Sequence, residues 1–398
     1  PSYDGRNNEP VSLPVKFPLV LAQGAEGIAV GLSTKILPHN FNDLIKCSIA
    51  VLKDKPFTIY PDFQNGGLID ISNYNNGKKG GKIRIRCNID IVDKETLHIK
   101  DLPHGTTTSS LIDSIVKANN SGKIKIKNIE DNTSENVDIV IHLIKGVSPN
   151  VTIDALYAFT NCEVSLSPNC CIINENKPEF ISVNKLLRLS TLNTKSILKQ
   201  ELEYSLFELQ ERLHYLTLES IFIENKIYRK IEDCDTWESI IDTIDKALHK
   251  FKKQLIRKYN EEDLKGLTEI KIRKITKYDK NKQLDIIKKI NNDIEEVKNN
   301  LNNLTNYAIR YFEYLKKTFG KKFVRQTEVV TFDSISARRV IVANKKLYVN
   351  KIDGFIGMNL KNSEYVSKCS EIDNVIVFLS DGTYMITNVE DKKFIGEN

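Results

Sequence analysis

The cysteines of this sequence do not form the patterns that are typical of metal sites or disulfide frameworks. The chain has seven cysteines, an odd number, with no C-x-x-C pair and no matching histidine spacing. This pattern argues against a zinc site and against the disulfide framework of a secreted protein. We therefore expect a reducing, cytoplasmic compartment. The adjacent Cys170 and Cys171 are either a redox pair or two structural thiols, and residue type favours structural thiols.

Long apolar runs and a secretory leader are also missing. Of the 398 residues 40% are hydrophobic and 28% are charged, and no apolar run is long enough to cross a bilayer. The chain opens on polar residues after Pro1 and has no initiating methionine. This start predicts a fragment without a signal peptide. We expect a globular chain of about two or three domains with no membrane partner.

The excess of positive charge is small. There are 58 Lys and Arg residues against 52 Asp and Glu residues, a net charge of +6, so local clustering must decide whether nucleic acid is a partner. Two segments, Lys82-Ile-Arg-Ile-Arg86 and Lys123-Ile-Lys-Ile-Lys127, alternate cations with isoleucine. Each predicts a strand that buries isoleucine on one face and shows positive charge on the other. Residue type alone favours the interpretation that these cationic strand faces are exposed to water. Contact with the phosphates of a nucleic acid is the alternative.

The first two regions of the chain differ in the spacing of their apolar residues. Residues 1–190 hold short β-rich runs between turn signals, which predicts an α/β or α+β domain. Residues 191–322 carry two heptad seams, which predict an antiparallel coiled coil with a helical tip at about 228–280. The seams are Leu202, Leu206, Leu209, Leu213, Leu216, Ser220, Ile223 and Ile227, then Ile287, Ile290, Ile294, Val297, Leu301, Leu304, Ala308, Tyr311 and Leu315.

The last region loses the helical period. Strand-like runs return at 329–332, at 339–342 and, as a hairpin around Asp381-Gly382, at 375–386. We expect residues 323–398 to begin an all-β domain that the chain does not complete.

A glycine-rich run, Gly24-Ala-Glu-Gly-Ile-Ala-Val-Gly31, is the sharpest local motif. It lacks the G-K-[ST] ending of a P-loop, and it is not a G-x-G-x-x-G motif followed by an acidic residue after a strand. Neither kind of nucleotide loop is therefore predicted. Residue type alone would place Ile28, an aliphatic side chain beside glycines, in a core.

Several separated segments, in one order, resemble a known family. They are 3–18 (YDGRNNEPVSLPVKFP), 24–31, 38–40 (PHN), 156–160 (LYAFT) and 307–312 (YAIRYF), together with the heptad seams. These segments resemble the A subunits of bacterial type IIA DNA topoisomerases, gyrase and topoisomerase IV, downstream of the nucleophilic tyrosine. The GRNNEP and GAEG variants are more similar to topoisomerase IV of the Bacteroidetes type than to gyrase.

The resemblance implies a multidomain α/β fold with a long antiparallel coiled coil. Residues 1–190 would form the tower-type α/β shoulder of the DNA gate. Residues 191–322 would form the coiled-coil arms and the helical exit-gate tip, through which two copies dimerise. Residues 323–398 would begin the all-β pinwheel domain.

The resemblance also assigns residues to DNA. Ile28 matches the isoleucine that inserts between base pairs and bends the duplex, and Gly27 would allow close approach. The expected contacts with the DNA backbone are Lys16, Lys35, Lys82, Arg84, Arg86, Lys123 and Lys125. The nucleophilic tyrosine would precede Pro1, because none of the 15 tyrosines, Tyr3 included, has a matching context. No catalytic residue and no metal site are expected in this chain.

In the family the intact enzyme is an A2B2 heterotetramer that passes one duplex through a transient break in another. The break is a covalent tyrosyl-DNA link, and Mg2+ and ATP bind the B subunit. The resemblance thus implies ATP-dependent decatenation and relaxation in the cytoplasm, with the chromosome. Supercoiling by a gyrase is one alternative. The other is a non-enzymatic scaffold that bridges duplexes with its basic domain and coiled coil.

Overall fold

The computed structural model describes residues 1–10, 13–174, 176–271, 275, 280–332, 345–361, 363–369 and 373–396. It is a mixed α/β chain that divides into two compact units. We call residues 1–18, 45–57 and 187–321 the arm unit, and residues 19–44, 58–186 and 322–398 the sheet unit. None of the helices in the described ranges is long and apolar enough to span a membrane.

Up to residue 180 the described residues form eleven strands and four α-helices. The strands are β1 (Ala25–Ala29), β2 (Leu32–Ile36), β3 (Leu68–Asn73), β4 (Lys82–Arg86), β5 (Ile89–Ile91), β6 (Thr96–Ile99), β7 (Ile126–Asp131), β8 (Ile139–Leu143), β9 (Glu163–Leu166), β10 (Cys171–Asn174) and β11 (Lys177–Phe180). The helices are α1 (Leu19–Gln23), α2 (Phe41–Leu52), α3 (Thr108–Asn120) and α4 (Pro149–Phe159).

The main core of the sheet unit lies on an antiparallel sheet of order β5-β6-β8-β7. Leu97 faces Ile141 and Ile99 faces Ile139 across β6 and β8, and all four side chains are fully buried. This is the period of two expected of a half-buried strand. Apolar residues of α3 and α4 join the same cluster. The side chain of Thr107 caps α3 by accepting a hydrogen bond from the Ser110 amide, which satisfies one free helix donor.

The arm unit consists mainly of helices. They are α5 (Val183–Glu224), which begins in the sheet unit, α6 (Trp237–Leu248), α7 (Glu261–Thr268), α8 (Lys280–Asn302) and α9 (Leu304–Phe319). Leu213 on α5 packs with Ile290 and Ile294 on α8, and this contact confirms that the two seams meet.

The two arms run antiparallel, as their paired ends show. Lys280 bonds to Glu224 at 3.0 Å, whereas Lys195 bonds to Thr305 at 2.8 Å. The second seam is interrupted, which the sequence did not predict. Asn303, with φ of −114° and ψ of 41°, separates α8 from α9. Its side chain bonds back to the Asn299 carbonyl at 3.2 Å, a local bond that competes with the helix.

The helical tip has a core of its own. Leu218, Phe222 and Ile244 are buried there with Leu248 and Leu267. This cluster supports the prediction of a helical segment between the arms, because it gives the short helices an apolar face to bury.

In the described residues beyond 322 the strands are β12 (Glu328–Val329), β13 (Lys345–Asn350), β14 (Phe355–Gly357), β15 (Glu364–Cys369), β16 (Asn374–Phe378), β17 (Tyr384–Asn388) and β18 (Lys393–Phe394). Strand β12 belongs to another sheet. The other six strands form a sheet of order β15-β13-β14-β18 and a hairpin of β16 and β17. The hairpin confirms the turn expected at Asp381-Gly382, where Gly382 has φ of 83°. The strand expected at 339–342 lies outside the described residues.

We call residues 323–332 the strap. The sequence predicts that they begin the all-β region, but their strand β12 pairs with a strand from the earlier part of the chain. Strand β12 lies parallel to β3, with Glu328 opposite Leu68 and Val329 opposite Ile69. It thereby completes a sheet of order β12-β3-β4-β9. The strap is part of the sheet that carries the first basic strand, β4.

Candidate nucleic-acid interface

The glycine-rich run forms a tight hairpin. Strands β1 and β2 pair from Ala25 with Ile36 to Ala29 with Leu32, which leaves Val30 and Gly31 as the turn. Gly31 has φ of 75°, a left-handed conformation that glycine adopts without strain. The conformation of this turn therefore explains the last glycine of the run.

The apolar side chains of the hairpin point away from the protein. Ile28 is 92% exposed and Val30 is fully exposed, so the placement of Ile28 in a core is wrong. A Cβ added at Gly27 would meet no described atom within 4 Å. Packing inside the chain therefore does not require glycine at this position, and the open space beside Gly27 is available to a partner.

The base of the hairpin is held by Asn169. The Lys35 amide donates to the Asn169 carbonyl at 2.8 Å, and the Asn169 amide donates back to the Lys35 carbonyl at 3.0 Å. The Asn169 side-chain amide also donates to the Ser33 carbonyl at 2.8 Å. These bonds fix β2 to the segment before β10, so that the tip projects from a supported base.

Gly24 and His39 fix the entry and exit of the same hairpin. Gly24 has φ of 75°, and a Cβ there would lie 2.7 Å from the Ile36 carbonyl oxygen. The buried His39 donates from Nδ1 to the Leu21 carbonyl at 3.2 Å, which leaves Nε2 to accept from the Tyr74 hydroxyl at 3.4 Å. Burial lowers the pKa of His39 to about 4, so the ring is neutral.

The charges of the hairpin compensate each other. Lys35 and Glu26 are its two charged residues, and they form an ion pair at 2.8 Å. Beside them His104 stacks on Phe63, with ring centroids 4.5 Å apart. Burial and the charge of Lys35 lower the pKa of His104. Lys35 thus remains at the surface, where the Glu26 carboxylate partly neutralises its charge.

Two of the three cations of β4 are paired inside the sheet unit, Arg84 half-buried and Arg86 buried, which corrects their expected exposure. Ile83 and Ile85 are buried as predicted, but Arg86 is only 9% exposed. Arg86 binds Glu163 at 2.6 Å, and Arg84 binds Asp70 at 2.6 Å.

Two aromatic rings pack against these arginines. The Arg86 guanidinium lies 4.5 Å from the Tyr157 ring centroid and 4.1 Å from that of Phe332. Arg84 also donates to the Phe332 carbonyl at 3.2 Å. Burial opposes ionisation of Asp70, but hydrogen bonds from Ser72 and Arg84 outweigh it and hold the pKa of this carboxyl well below its usual range. Both arginines thus hold the strap on the sheet.

Polar bonds hold the strap at its beginning as well. Arg325 binds Asp43 at 2.8 Å and the Pro61 carbonyl at 2.7 Å. Asp62 accepts hydrogen bonds from the amides of Gln326 and Thr327. Charge-assisted bonds of this kind are stronger than neutral ones, which explains why a short strand such as β12 is held in place.

The remaining lysines differ in exposure. Lys82 is exposed at the start of β4. Lys125 is exposed between the buried Ile124 and Ile126, so the predicted alternation is confirmed there, although β7 begins only at Ile126. Lys123 is half-buried, with its ammonium 5.6 Å from the Phe159 ring centroid.

Lys16 belongs to the arm unit and is already paired. Its ammonium bonds to both carboxylate oxygens of Glu201, at 2.7 and 2.9 Å, and lies 5.5 Å from the Tyr311 ring centroid. The hydrogen bond to Glu201 raises the pKa of Lys16, against the effect of burial. Lys16 therefore contributes less free charge than the sequence suggested.

The sequence reasoning missed Val30 and Phe332. The signal for Val30 was present, because a β-branched residue at a turn between glycines has little structural reason to be there. No signal in the sequence identified β3 as the neighbour of the strap. Among the described residues no group of three or more His, Cys, Asp and Glu side chains is placed to hold a metal ion.

The sequence also matches known proteins. Residues 1–313 match the family model for the A subunit of DNA gyrase/topoisomerase IV. The A subunit of DNA topoisomerase 4 from Borreliella burgdorferi is 38% identical over 394 residues, which cover 99% of this chain and 62% of that protein.

Two gyrase subunits are more distant. The A subunit of DNA gyrase from Lawsonia intracellularis is 31% identical over 233 residues, covering 54% of this chain and 28% of that protein. The corresponding gyrase subunit of Leptospira biflexa is 24% identical over 440 residues, covering 98% of this chain and 50% of that protein. This chain spans less than two thirds of the length of each of these relatives.

Proposed function

Because this chain belongs to the family of DNA gyrase/topoisomerase IV A subunits, we propose that it is the DNA-binding, DNA-bending and dimerisation portion of a type IIA topoisomerase A subunit. The observation that carries this proposal is the hairpin of β1 and β2. It presents Ile28 almost fully to solvent on a base held by Asn169. An aliphatic side chain held out on a supported projection is suited to insert between the base pairs of a duplex.

Duplex DNA is the partner that suits the hairpin. An apolar wedge between two base pairs costs a few kcal/mol of unstacking, but it opens a kink that lets the bent duplex contact more protein. Gly27 leaves space beside the wedge, and the Glu26 carboxylate is compensated by Lys35. Ile28 is therefore assigned the intercalating role, with Gly27 as the site of close approach.

Lysines supply the proposed contacts with the DNA backbone. Lys82 and Lys125 are exposed and are the main candidates. Lys35, Lys123 and Lys16 are weaker candidates, because each already contacts a carboxylate or a ring. Arg84 and Arg86 hold the strap and are not proposed as phosphate contacts.

The other regions have supporting roles in this proposal. The sheet region up to about residue 190 is the tower, and the antiparallel arms carry an exit gate at the helical tip, where two copies dimerise. The apolar core of the tip supports this assignment, because an independent core lets the tip act as a gate at the end of the arms. The strands beyond the strap would begin a pinwheel domain.

In the intact enzyme this protein would work in an A2B2 assembly in the cytoplasm, on the chromosome. The nucleophilic tyrosine would lie in residues that precede Pro1, and Mg2+ and ATP would bind the B subunit. Tyr3, which is fully exposed and followed by Asp-Gly, is not assigned this role. We favour topoisomerase IV activity over gyrase activity, since the topoisomerase 4 relative is similar over 99% of the chain at 38% identity.

A cleavage assay tests the proposed function. The protein extended to its upstream tyrosine, assembled with its B partner, should form a covalent complex with DNA and decatenate linked circles when ATP is present. Ile28→Ala should reduce both activities by roughly tenfold or more, since the unstacking and the bend must be obtained without the wedge. The matched control is Ile173→Ala, another exposed isoleucine of the sheet unit. DNA binding without any covalent complex would favour a non-enzymatic scaffold instead.

A further inference from the structure

The tip of the hairpin contains a second exposed apolar residue. From Gly27 to Gly31 the tip has no polar side chain, and Val30 is even more exposed than Ile28. Single exposed aliphatic residues are common on protein surfaces. Two β-branched residues on one projection, with no polar side chain between them, form a surface that needs a partner.

The fold gives no reason for valine at position 30. Two-residue hairpin turns favour Asn, Asp and Gly, whose side chains either bond locally or impose no steric limit. Valine has a stiff side chain that prefers strands and makes no hydrogen bond. Val30 has no cross-strand partner either, because the register of β1 and β2 ends at Ala29 and Leu32. A contact outside the chain would explain the valine.

We propose that Val30 is a second apolar contact with duplex DNA, which packs on the deoxyribose wall of the minor groove beside the step opened by Ile28. This inference rests on the proposed function, because it takes the duplex as the partner. The Cα atoms of Ile28 and Val30, two positions apart, lie at most roughly 7 Å from each other, which is about the rise of two nucleotides along the axis of a duplex. One opened step has room for one wedge, so the second side chain must lie on the groove wall.

Charge favours the same partner. The hairpin carries two charged residues, Glu26 and Lys35, which pair at its base. Its tip therefore approaches the phosphates without a free carboxylate. Apolar carbon atoms of the sugars line the groove wall between those phosphates, and Val30 offers them two methyl groups.

Two measurements on the purified chain distinguish the role of Val30 from the role of Ile28. Fluorescence anisotropy measures affinity for a short duplex, and energy transfer between dyes at its ends measures the bend. We expect Val30→Ala to weaken binding roughly five- to tenfold while the bound duplex keeps its bend, because a buried valine loses two methyl groups. Val30→Thr, which keeps the shape and adds a hydroxyl, should also weaken binding. Ile28→Ala should remove the bend.

Modified DNA locates the contact. A single 2′-O-methyl nucleotide is moved along the duplex, so that its bulk enters the minor groove at one sugar at a time. Wild-type protein should lose affinity at positions flanking the bent step, and Val30→Ala should lose much less there. Ile173→Ala should behave like the wild type, since it changes an exposed isoleucine outside the hairpin tip.

The outcomes distinguish the inference from the function on which it rests. Wild-type affinity for Val30→Ala, with bending lost only in Ile28→Ala, would overturn the role of Val30 and leave the proposed function intact. Weaker binding by Val30→Ala with an unchanged bend in Ile28→Ala would keep the Val30 contact and overturn the wedge. If Val30→Ala changes self-association in sedimentation and leaves DNA affinity unchanged, a second copy covers the tip and the inference is wrong.

Discussion

The Arg86 guanidinium lies 4.1 Å from the centre of the Phe332 ring. These two residues are far apart in sequence, and their contact covers the Arg86 end of the β4 face that the sequence predicts to be exposed. Because Arg86 also binds Glu163, its charge is compensated within the sheet unit. A cation in an alternating strand is therefore not always available to a polyanion, since ion pairs and ring contacts on its own face decide whether it is exposed.

Removing the Phe332 ring should destabilise the sheet unit. Phe332 is buried, and Phe332→Ala would leave a cavity between Arg86 and Arg84. We expect the free energy of unfolding to fall by about 3 kcal/mol, the usual cost of a large cavity in a core. Denaturant unfolding followed by circular dichroism measures it. The control is Phe378→Ala, in an exposed ring of β16, which should cost less than about 1 kcal/mol. Equal losses would show that Phe332 does not hold the strap.

Neutralising the exposed lysines should change the salt dependence of DNA binding. Each phosphate contact that is lost should reduce the slope of log K against log salt by about 0.9. Lys82→Ala and Lys125→Ala should each show such a decrease. Lys298→Ala, in an exposed lysine of the arm helix α8, should leave the slope unchanged. Wild-type slopes in both test variants would assign these lysines to solvated faces.

His39 should make the stability of the sheet unit depend on pH. Burial lowers its pKa from 6.5 to about 4, so the folded protein binds fewer protons than the unfolded chain between these values. The stabilisation is fully present above pH 6.5 and is lost as the pH falls towards about 4. The loss should reach at most about 3 kcal/mol. Unfolding curves of the wild type and of His39→Gln check this, because the variant should lose that part of the slope. Parallel curves would contradict the assignment.

Arg257 should stabilise the junction of arm and tip. It forms two bonds with Glu211, at 2.8 and 2.6 Å, and two with Asp263, at 2.6 and 3.1 Å. Because the group is about one third exposed, we expect Arg257→Ala to cost about 2 kcal/mol rather than the full value of a buried pair. Trp237, the only tryptophan, lies on α6 and reports unfolding of the tip by fluorescence.

The control for the junction is Lys265→Ala. Lys265 pairs with Glu261 one helical turn away, at the exposed surface of α7. Such a pair contributes about 0.3 to 0.5 kcal/mol, so its loss should be close to the error of the measurement. A loss for Arg257→Ala as small as this control would mean that the junction is held by apolar packing alone.

The sequence predicted local patterns well and long-range contacts poorly. Burial of Ile83, Ile85 and Ile126 follows from alternation alone, and the contact of Leu213 with Ile290 follows from the heptad seams. Periodicity reports which face of an element is apolar, which is why these predictions hold. At the break, the Asn303 side chain bonds to both the carbonyl and the side chain of Asn299, and periodicity does not detect such local bonds.

At the candidate site, too, local features were predicted better than long-range contacts. The resemblance identified Ile28, although residue type alone placed it in a core. The cover of Arg84 and Arg86 depends on the pairing of β12 with β3, a contact between segments separated by more than 200 residues. Nothing in the local sequence of either segment specifies that partner. Exposure of a charged face therefore depends on tertiary contacts that the local pattern does not specify.

The bend angle of a bound duplex tests the central claim most directly. Energy transfer between dyes at the two ends of the duplex should report a sharp bend with the wild-type chain. The same bend should appear with Ile173→Ala, and a nearly straight duplex with Ile28→Ala, each at a protein concentration that saturates the DNA. An unchanged bend with Ile28→Ala under those conditions would contradict the assignment of the hairpin as the DNA-bending wedge.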